Sequence, residues 1–457
     1  MPEHEFDVVV IGAGPAGEVA AGYLSEGGLS VAIAERHLVA GECSYYACMP
    51  SKALLRPGEL LAEAKRVPGV AEAVTGDLDP GAVLARRDEI IHDLDDSSQV
   101  EWLDNLGIKL FRGDGRIDGE RRVTVGDDTL VAKRAVIVST GSAAAMPPID
   151  GLADAEPWNN RNATTAKVVP ESMIILGGGP VGSELAQAWN SLGTKVILVE
   201  GAPQILSREE RFAADEVAES LREQGVDIRV DSKATAVRRE EGTVSMTLSD
   251  GGEVQGGEIL VAVGRKPNTE DIGLESVGAQ TNDHGFIEVD DRMRAGAGEW
   301  LYAIGDVNGR ALLTHMGKYQ AWVAVETILG REAEAVAEEI GSPHVTFTDP
   351  QVASVGKTLD QAIDEGINAT ATDVSTSGTA GASFYGKDTA GTSRIVIDED
   401  RGVIIGATFV GFETADFLHA ATVAVIGEVP VKRLRHAITS FPSRSEVWLK
   451  LLEAYGV

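Results

Sequence analysis

A glycine loop that opens a helix is written twice into this chain, and each copy is followed by an acid at the same distance. Gly12-Ala13-Gly14-Pro15-Ala16-Gly17 ends the apolar run DVVVIG at 7–12, and Gly177-Gly178-Gly179-Pro180-Val181-Gly182 ends SMIILGGG at 172–179. From Gly12 to Glu35, and again from Gly177 to Glu200, is 23 residues. A buried strand, a tight turn, a helix and a second strand closed by a carboxylate make a mononucleotide-type β-α-β unit. The glycines allow the turn, let a pyrophosphate reach the backbone and let helix pack on strand, while the helix N-terminus attracts the anion. One such loop alone is weak, and its bland alternative is a plain tight turn. With strand, helix and acid all in place, two dinucleotides are expected on one chain. The first candidate site is Gly12, Gly14, Ala16, Gly17 and Glu35; the second is Gly177, Gly179, Gly182 and Glu200. An acid at Glu200 suits an unphosphorylated ribose, so NADH is expected ahead of NADPH, with Arg208 readable either as a surface residue or as one that a 2′-phosphate would recruit.

The second constraint is cysteine. The chain has two, Cys43 and Cys48, in GECSYYACMPSK. They make no disulfide framework for a secreted protein, and no further cysteine exists to complete a thiolate metal site, so no metal is expected. Standing just ahead of a helix, whose N-terminal dipole favours a thiolate, they suit a reversible disulfide that stores two electrons. Two inert buried thiols are the alternative.

At 457 residues the chain needs about three folding units. Beyond the first β-α-β unit come a helical stretch from about Pro50, a longer charged and periodic one over 81–105, and a strand-rich run over 108–140. After the second unit, VAVGRKPN leads towards WLYAIGD at 300–306, which returns to the first domain. From about Ser342 short strands, a polar stretch at 369–383 and helices near 412–426 and 443–455 form a separate α+β domain. A formal charge of −31 argues against binding nucleic acid or an anionic membrane. The acidic start lacks an export signal and no apolar run reaches the roughly 20 residues of a membrane span, so a cytoplasmic setting is expected.

Both glycine loops, the Cys-x₄-Cys-x-Pro-Ser-Lys segment, STGS at 139–142, VGRKPN at 263–268, AIGD at 303–306 and FTDPQVASVG at 347–356 together resemble the class I pyridine nucleotide-disulfide oxidoreductases, the family of dihydrolipoyl dehydrogenase, glutathione reductase and mercuric reductase. The resemblance implies an α/β fold of two Rossmann-like dinucleotide-binding domains and a C-terminal α+β dimerisation domain: FAD on 1–150 and 271–340, the nicotinamide on 151–270, and a homodimer contact on 341–457. It implies Cys43 as the thiol that attacks substrate, Cys48 as the thiol facing the flavin, and Lys52 with Glu184 as an ion pair beside it, the lysine stabilising an anionic reduced ring. Gly115, Thr140, Gly141, Asp306, His315 and Lys52 fall to the FAD site and Gly264 to the nicotinamide site, with His315 as a packing or hydrogen-bonding neighbour rather than an acid.

One motif departs from the family. Disulfide reductases of this kind end in His-Pro-Thr-x-x-Glu, given across the dimer, whose His–Glu pair protonates the departing thiol. Here it reads Phe441-Pro442-Ser443-Arg444-Ser445-Glu446. Glu446 stays and the acid-base is gone. His436, Tyr45 and Tyr46 are the candidate replacements, each also readable as structural. The leading expectation is an NAD(P)H-dependent reductase of a small disulfide or related oxidised sulfur compound. Phe441 supports an alternative acceptor that does not leave as a thiolate needing protonation, namely a metal ion, quinone or oxidant, although the C-terminal cysteine pair of mercuric reductase is absent. A dihydrolipoyl-dehydrogenase-like subunit of a complex is the third possibility.

Overall fold

The computed structural model describes residues 2–387, 389 and 391–457. Its chain forms two compact units, each built from three segments.

The first unit comprises Met1–Pro50, Asp88–Ala144 and Arg265–Glu339. Val8, Val9 and Val10 are completely buried, so the strand they belong to has both faces covered, as a continuous apolar run demands. That strand, Glu3–Ile11, lies parallel between Val31–Glu35 and Asp128–Val138. The sheet continues through Lys109–Arg112 on one side and the antiparallel Arg122–Val125 and Gly115–Ile117 on the other. Leu301–Ala303 adds a parallel partner to Asp128–Val138, which is the expected return of the chain. The helices Pro15–Glu26 and Thr314–Ile328 cover one face, packing Ala20, Leu24, Ala321 and Val325 with Val8 and Val10.

The second unit comprises Ser51–Arg87, Ala145–Gly264 and Ile340–Val457. A four-stranded parallel sheet runs in the order Asp227–Arg229, Lys195–Val199, Ser172–Leu176, Glu258–Val261, with the helix Pro180–Ser191 following its central strand. A five-stranded antiparallel sheet holds the C-terminal segment, with Ala415–Ile426 and Glu446–Tyr455 packed through Phe417, Leu418, Trp448 and Leu451. The polar stretch at 369–383 begins as a strand, Ala369–Ser375, registered against Thr392–Asp398.

The expected long periodic stretch over 81–105 is not one helix. It breaks into Pro80–Ile90 and Ser97–Asn105, because His92, Asp93 and Leu94 take left-handed backbone angles between them. Left-handed residues that carry a Cβ cannot continue a right-handed helix. No helix among the described residues is long and apolar enough to cross a membrane.

Candidate functional site

In the first unit the glycine loop is closed on itself. A Cβ on Gly17 would stand 2.0 Å from the Gly12 carbonyl oxygen, and one on Gly12 would stand 2.5 Å from that of Ser139. Gly14, the N-cap of the Pro15 helix, has nothing within 4 Å of its Cβ position, and no side chain caps the helix. No side chain thus competes for the first N–H groups of the helix, the kind of helix start that receives a phosphate. Ala16 lies behind it, 3.2 Å from the Cβ position of Gly305. Glu35 accepts from the Ala13 N–H (2.7 Å) and the His37 N–H (2.6 Å), which fixes its carboxylate at the end of its strand. These residues fit a dinucleotide.

Asp306 sits on a turn opened by Gly305, whose φ is +75°. The Ser142 hydroxyl donates to its carboxylate at 2.5 Å and Arg265 Nε lies 3.4 Å away. Thr140 donates to the Asn268 carbonyl (2.7 Å) and the Asn268 N–H to the Gly141 carbonyl (2.9 Å), so STGS and VGRKPN are tied together in this unit. Gly115 packs against Ile11 and Ala34, leaving no room there for a side chain. His315 is exposed at the second position of the Thr314 helix.

Cys43 and Cys48 are bonded to each other. Cys43 lies in the short helix Gly41–Tyr45, Cys48 opens Cys48–Arg66, and the Thr314 hydroxyl approaches Cys48 Sγ at 3.6 Å. Tyr45 is 2% exposed, packs with Ala40 and Ile91, and turns its hydroxyl to the Asp95 carbonyl. Burial and the neighbouring Asp96, Glu18 and Asp95 push it up to about 12. That environment makes it a packing residue.

In the second unit the same cradle recurs. A Cβ on Gly182 would stand 1.9 Å from the Gly177 carbonyl oxygen, Gly179 is open, and Glu200 accepts from Gly178 (2.6 Å) and Ala202 (2.7 Å). Gly264, at φ +145°, gives its carbonyl to the Ala145 N–H. Arg208 lies near enough to His344 to hold down that imidazole's pKa, although His344 is raised on balance by its Glu209 partner against the larger opposing effect of burial.

Lys52 Nζ meets Glu184 Oε2 at 2.6 Å, the lysine side chain 37% and the glutamate 6% exposed. The other Glu184 oxygen accepts from the Phe347 N–H (2.9 Å), and Lys52 lies over the Phe347 ring. The glutamate is thus anchored twice, and a nearly buried carboxylate with a cation and a backbone donor is well compensated. Phe347 belongs to the FTDPQ motif, which sequence reasoning used only as a family mark.

At the C-terminus, Glu446 accepts from the backbone N–H groups of Ser443 (3.2 Å) and Gly381 (3.1 Å), while His436 is exposed and Phe441 is 77% exposed. The structure gives Glu446 to backbone donors rather than to His436.

Residues 6–327 match the family model described as pyridine nucleotide-disulphide oxidoreductase, and 342–452 match that family's dimerisation domain. Dihydrolipoyl dehydrogenase of Thermus scotoductus is 32% identical over 98% of this chain and 97% of its own length. Mercuric reductase of Staphylococcus aureus is 27% identical over 97% of this chain and 81% of its own length. Among solved structures, the Cu(II) complex of the HOCl-induced flavoprotein disulfide reductase RclA from Escherichia coli superposes with a TM-score of 0.87 at 24% identity, covering 98% of this chain and 99% of that one, a likeness of fold.

Proposed function

This chain belongs to the pyridine nucleotide-disulphide oxidoreductases, and from that premise we propose that it is an NAD(P)H-dependent reductase of a small disulfide or related oxidised sulfur compound, acting as a homodimer. It is a flavoprotein oxidoreductase with a redox-active Cys43–Cys48 pair, in a family whose cofactors are FAD and NAD(P)H. The observation that carries the proposal is that pair, bonded in the segment that opens the Cys48 helix.

FAD would be held by Gly12, Gly14, Gly17, Glu35 and Asp306, with Thr140, Gly141 and Gly115 shaping its bed, and would supply the two-electron relay between nicotinamide and disulfide. The nicotinamide nucleotide falls to Gly177, Gly179, Gly182, Glu200 and Gly264. Glu200 supports NADH, since its carboxylate would repel a 2′-phosphate. In this scheme 1–150 with 271–340 serves the flavin, 151–270 the nicotinamide and 341–457 the dimer contact, in the cytoplasm. Lys52 brings a positive charge and Glu184 offsets the cost of burying it.

Cys43, once reduced, attacks the substrate disulfide; a Cys43–substrate disulfide forms and one thiolate departs. Cys48 then attacks Cys43, the second thiol leaves and the internal disulfide is restored. The sum is NAD(P)H, one proton and one disulfide giving NAD(P)⁺ and two thiols. Phe441, exposed where relatives supply the acid-base, favours a second reading in which the acceptor is a metal ion, quinone or oxidant and no thiolate departs that needs protonation. A titration of the purified protein with NADH and separately NADPH, without oxygen, followed by a panel of disulfides, quinones and metal ions, decides between them. A long-wavelength charge-transfer band cleared by disulfides supports the reductase; a band cleared only by quinones or metals overturns it. Cys43→Ser abolishes disulfide turnover in the first case.

A further inference from the structure

The turn that carries Asp306, Gly305–Asn308, is pinned on both sides of that residue. Gln320 Oε1 accepts from the Gly305 N–H (2.6 Å) and from the Asn308 side-chain amide (2.9 Å), and that amide also donates to the Ala303 carbonyl at 3.0 Å. Gln320 is completely buried on the helix Thr314–Ile328, so its polar atoms depend on partners within the protein. The Asp306 carboxylate accepts from Ser142 and takes no part in these bonds.

The far end of Gln320 is held as firmly. Its Nε2 donates to Glu338 Oε1 at 2.5 Å, and Arg310 Nε stands 2.6 Å from the other Glu338 oxygen. Arg310 in turn meets the Asp291 carboxylate (2.9 Å) and donates to the Asp290 carbonyl (3.2 Å). The Glu338 side chain is 4% exposed, and a cation with an amide donor compensates its burial. A carboxylate at one end and two N–H donors at the other leave the Gln320 amide a single satisfied orientation, with its oxygen towards Gly305. Packing closes the remaining sides. A Cβ on Gly305 would lie 3.2 Å from Ala16 Cβ, and one on Gly317 would lie 3.3 Å from Gly305 Cα, so the turn is seated between the Pro15 and Thr314 helices. A fully satisfied buried network of this kind specifies one geometry.

We propose that Gln320 is a positioning residue for the flavin. It acts through the Gly305 turn, holding Asp306 where its carboxylate can meet a hydroxyl of FAD, while Glu338 and Arg310 fix Gln320 from behind. This rests on the assignment of Asp306 to the flavin made above.

The test uses the holoenzyme and reads flavin release, followed as the rise of flavin fluorescence after dilution, with the denaturation midpoint of each variant recorded beside it. Asp306→Asn sets the scale and must release flavin faster than the unmodified protein. Gln320→Leu leaves two buried donors without their acceptor and is expected to speed release about 10- to 100-fold. Added to Asp306→Asn it should speed release by no more than about threefold further, because a residue that acts through Asp306 then has nothing left to position. Effects that multiply in full overturn the proposal, as does release from Gln320→Leu at the unmodified rate. Gln320→Glu keeps the acceptor but sets a carboxylate against Glu338, and should speed release about tenfold. Adding Glu338→Gln puts a donor opposite that acceptor again and should return release to within about threefold of the unmodified protein. This exchange decides alone if Gln320→Leu does not fold, and its failure to restore release sinks the proposal. An Asp306→Asn variant that holds flavin as firmly as the unmodified protein would instead refute the assignment of Asp306.

Discussion

Gly182→Ala separates the two nucleotide sites. The added methyl would stand 1.9 Å from the Gly177 carbonyl oxygen, where ordinary contact begins near 3.4 Å, so the Pro180 helix has to retreat from its glycine loop by about 1.5 Å. The next contact of that methyl, Gly177 C at 3.0 Å, is also backbone and cannot swing aside. Overpacking of this kind typically costs about 1–3 kcal/mol, and here it falls on the N–H groups proposed to meet the pyrophosphate. The expected result is about a 10- to 100-fold weaker hold on NADH. Flavin content per chain, far-ultraviolet circular dichroism and reduction by dithionite should match the unmodified protein, because the first glycine loop is untouched. The assay is the NADH dependence of flavin reduction in rapid mixing, with equilibrium binding of ADP-ribose by calorimetry as an activity-free check. NADH and ADP-ribose affinities within threefold of the unmodified protein, in a variant that keeps its flavin, would refute the assignment of Gly177–Gly182 as the nicotinamide cradle.

The corresponding change in the first loop, Gly17→Ala, places a methyl 2.0 Å from the Gly12 carbonyl oxygen and 2.4 Å from Ser139 Oγ, and is expected to yield protein that binds ADP-ribose yet purifies with less than a tenth of the flavin per chain. Phe441→His should raise alkyl-disulfide turnover about tenfold, read from steady-state rates; no gain would point to another proton donor or to another acceptor. Glu18, whose Oε2 is buried without a hydrogen-bond partner, makes stability depend on pH. Its folded pKa lies above the unfolded one, so between about 4.5 and about 7 the unfolded chain sheds a proton that the folded chain keeps, and stability falls across that window by about 3 kcal/mol. Glu18→Gln should remove that decline, seen as denaturation midpoints that converge with the unmodified protein at pH 5 and exceed it at pH 8; parallel curves would sink the idea.

What the sequence disclosed best was local. The glycine loops, their helices beginning at Pro15 and Pro180, and the strands ending at Glu35 and near Glu200 are each set by residues within one supersecondary unit, so spacing alone located them. The first strand was read only over its apolar part from residue 7, whereas it begins at Glu3, because Glu3–Phe6 are held by pairing with Thr129–Ala132 far along the chain. The break at 92–94 left no composition signal, since left-handed angles there fall on His, Asp and Leu rather than on glycine. Glu18 was overlooked for a similar reason. An acid in the first turn of a helix reads as a match to the helix dipole, and only the covering of Oε2 in the folded chain gives it another character. Tyr45 went the other way: its place between the cysteines suggested chemistry, and its burial beside Ala40 and Ile91 gives it packing instead.

The two halves of the chain hold their acids alike, Glu35 and Glu200 each accepting two backbone N–H groups, so the cradles repeat one another down to the hydrogen bonds that orient the carboxylate. The departure lies at Phe441, an exposed side chain that can neither give nor take a proton. A thiolate that departs without an acid beside it leaves the more slowly the more basic it is, so disulfide reduction should slow as the leaving thiol becomes more basic, from aryl to alkyl disulfides. The measurement is flavin reoxidation in rapid mixing across such a series: a steep dependence shows that no group replaces the acid, and rates that do not depend on the leaving thiol show that one does.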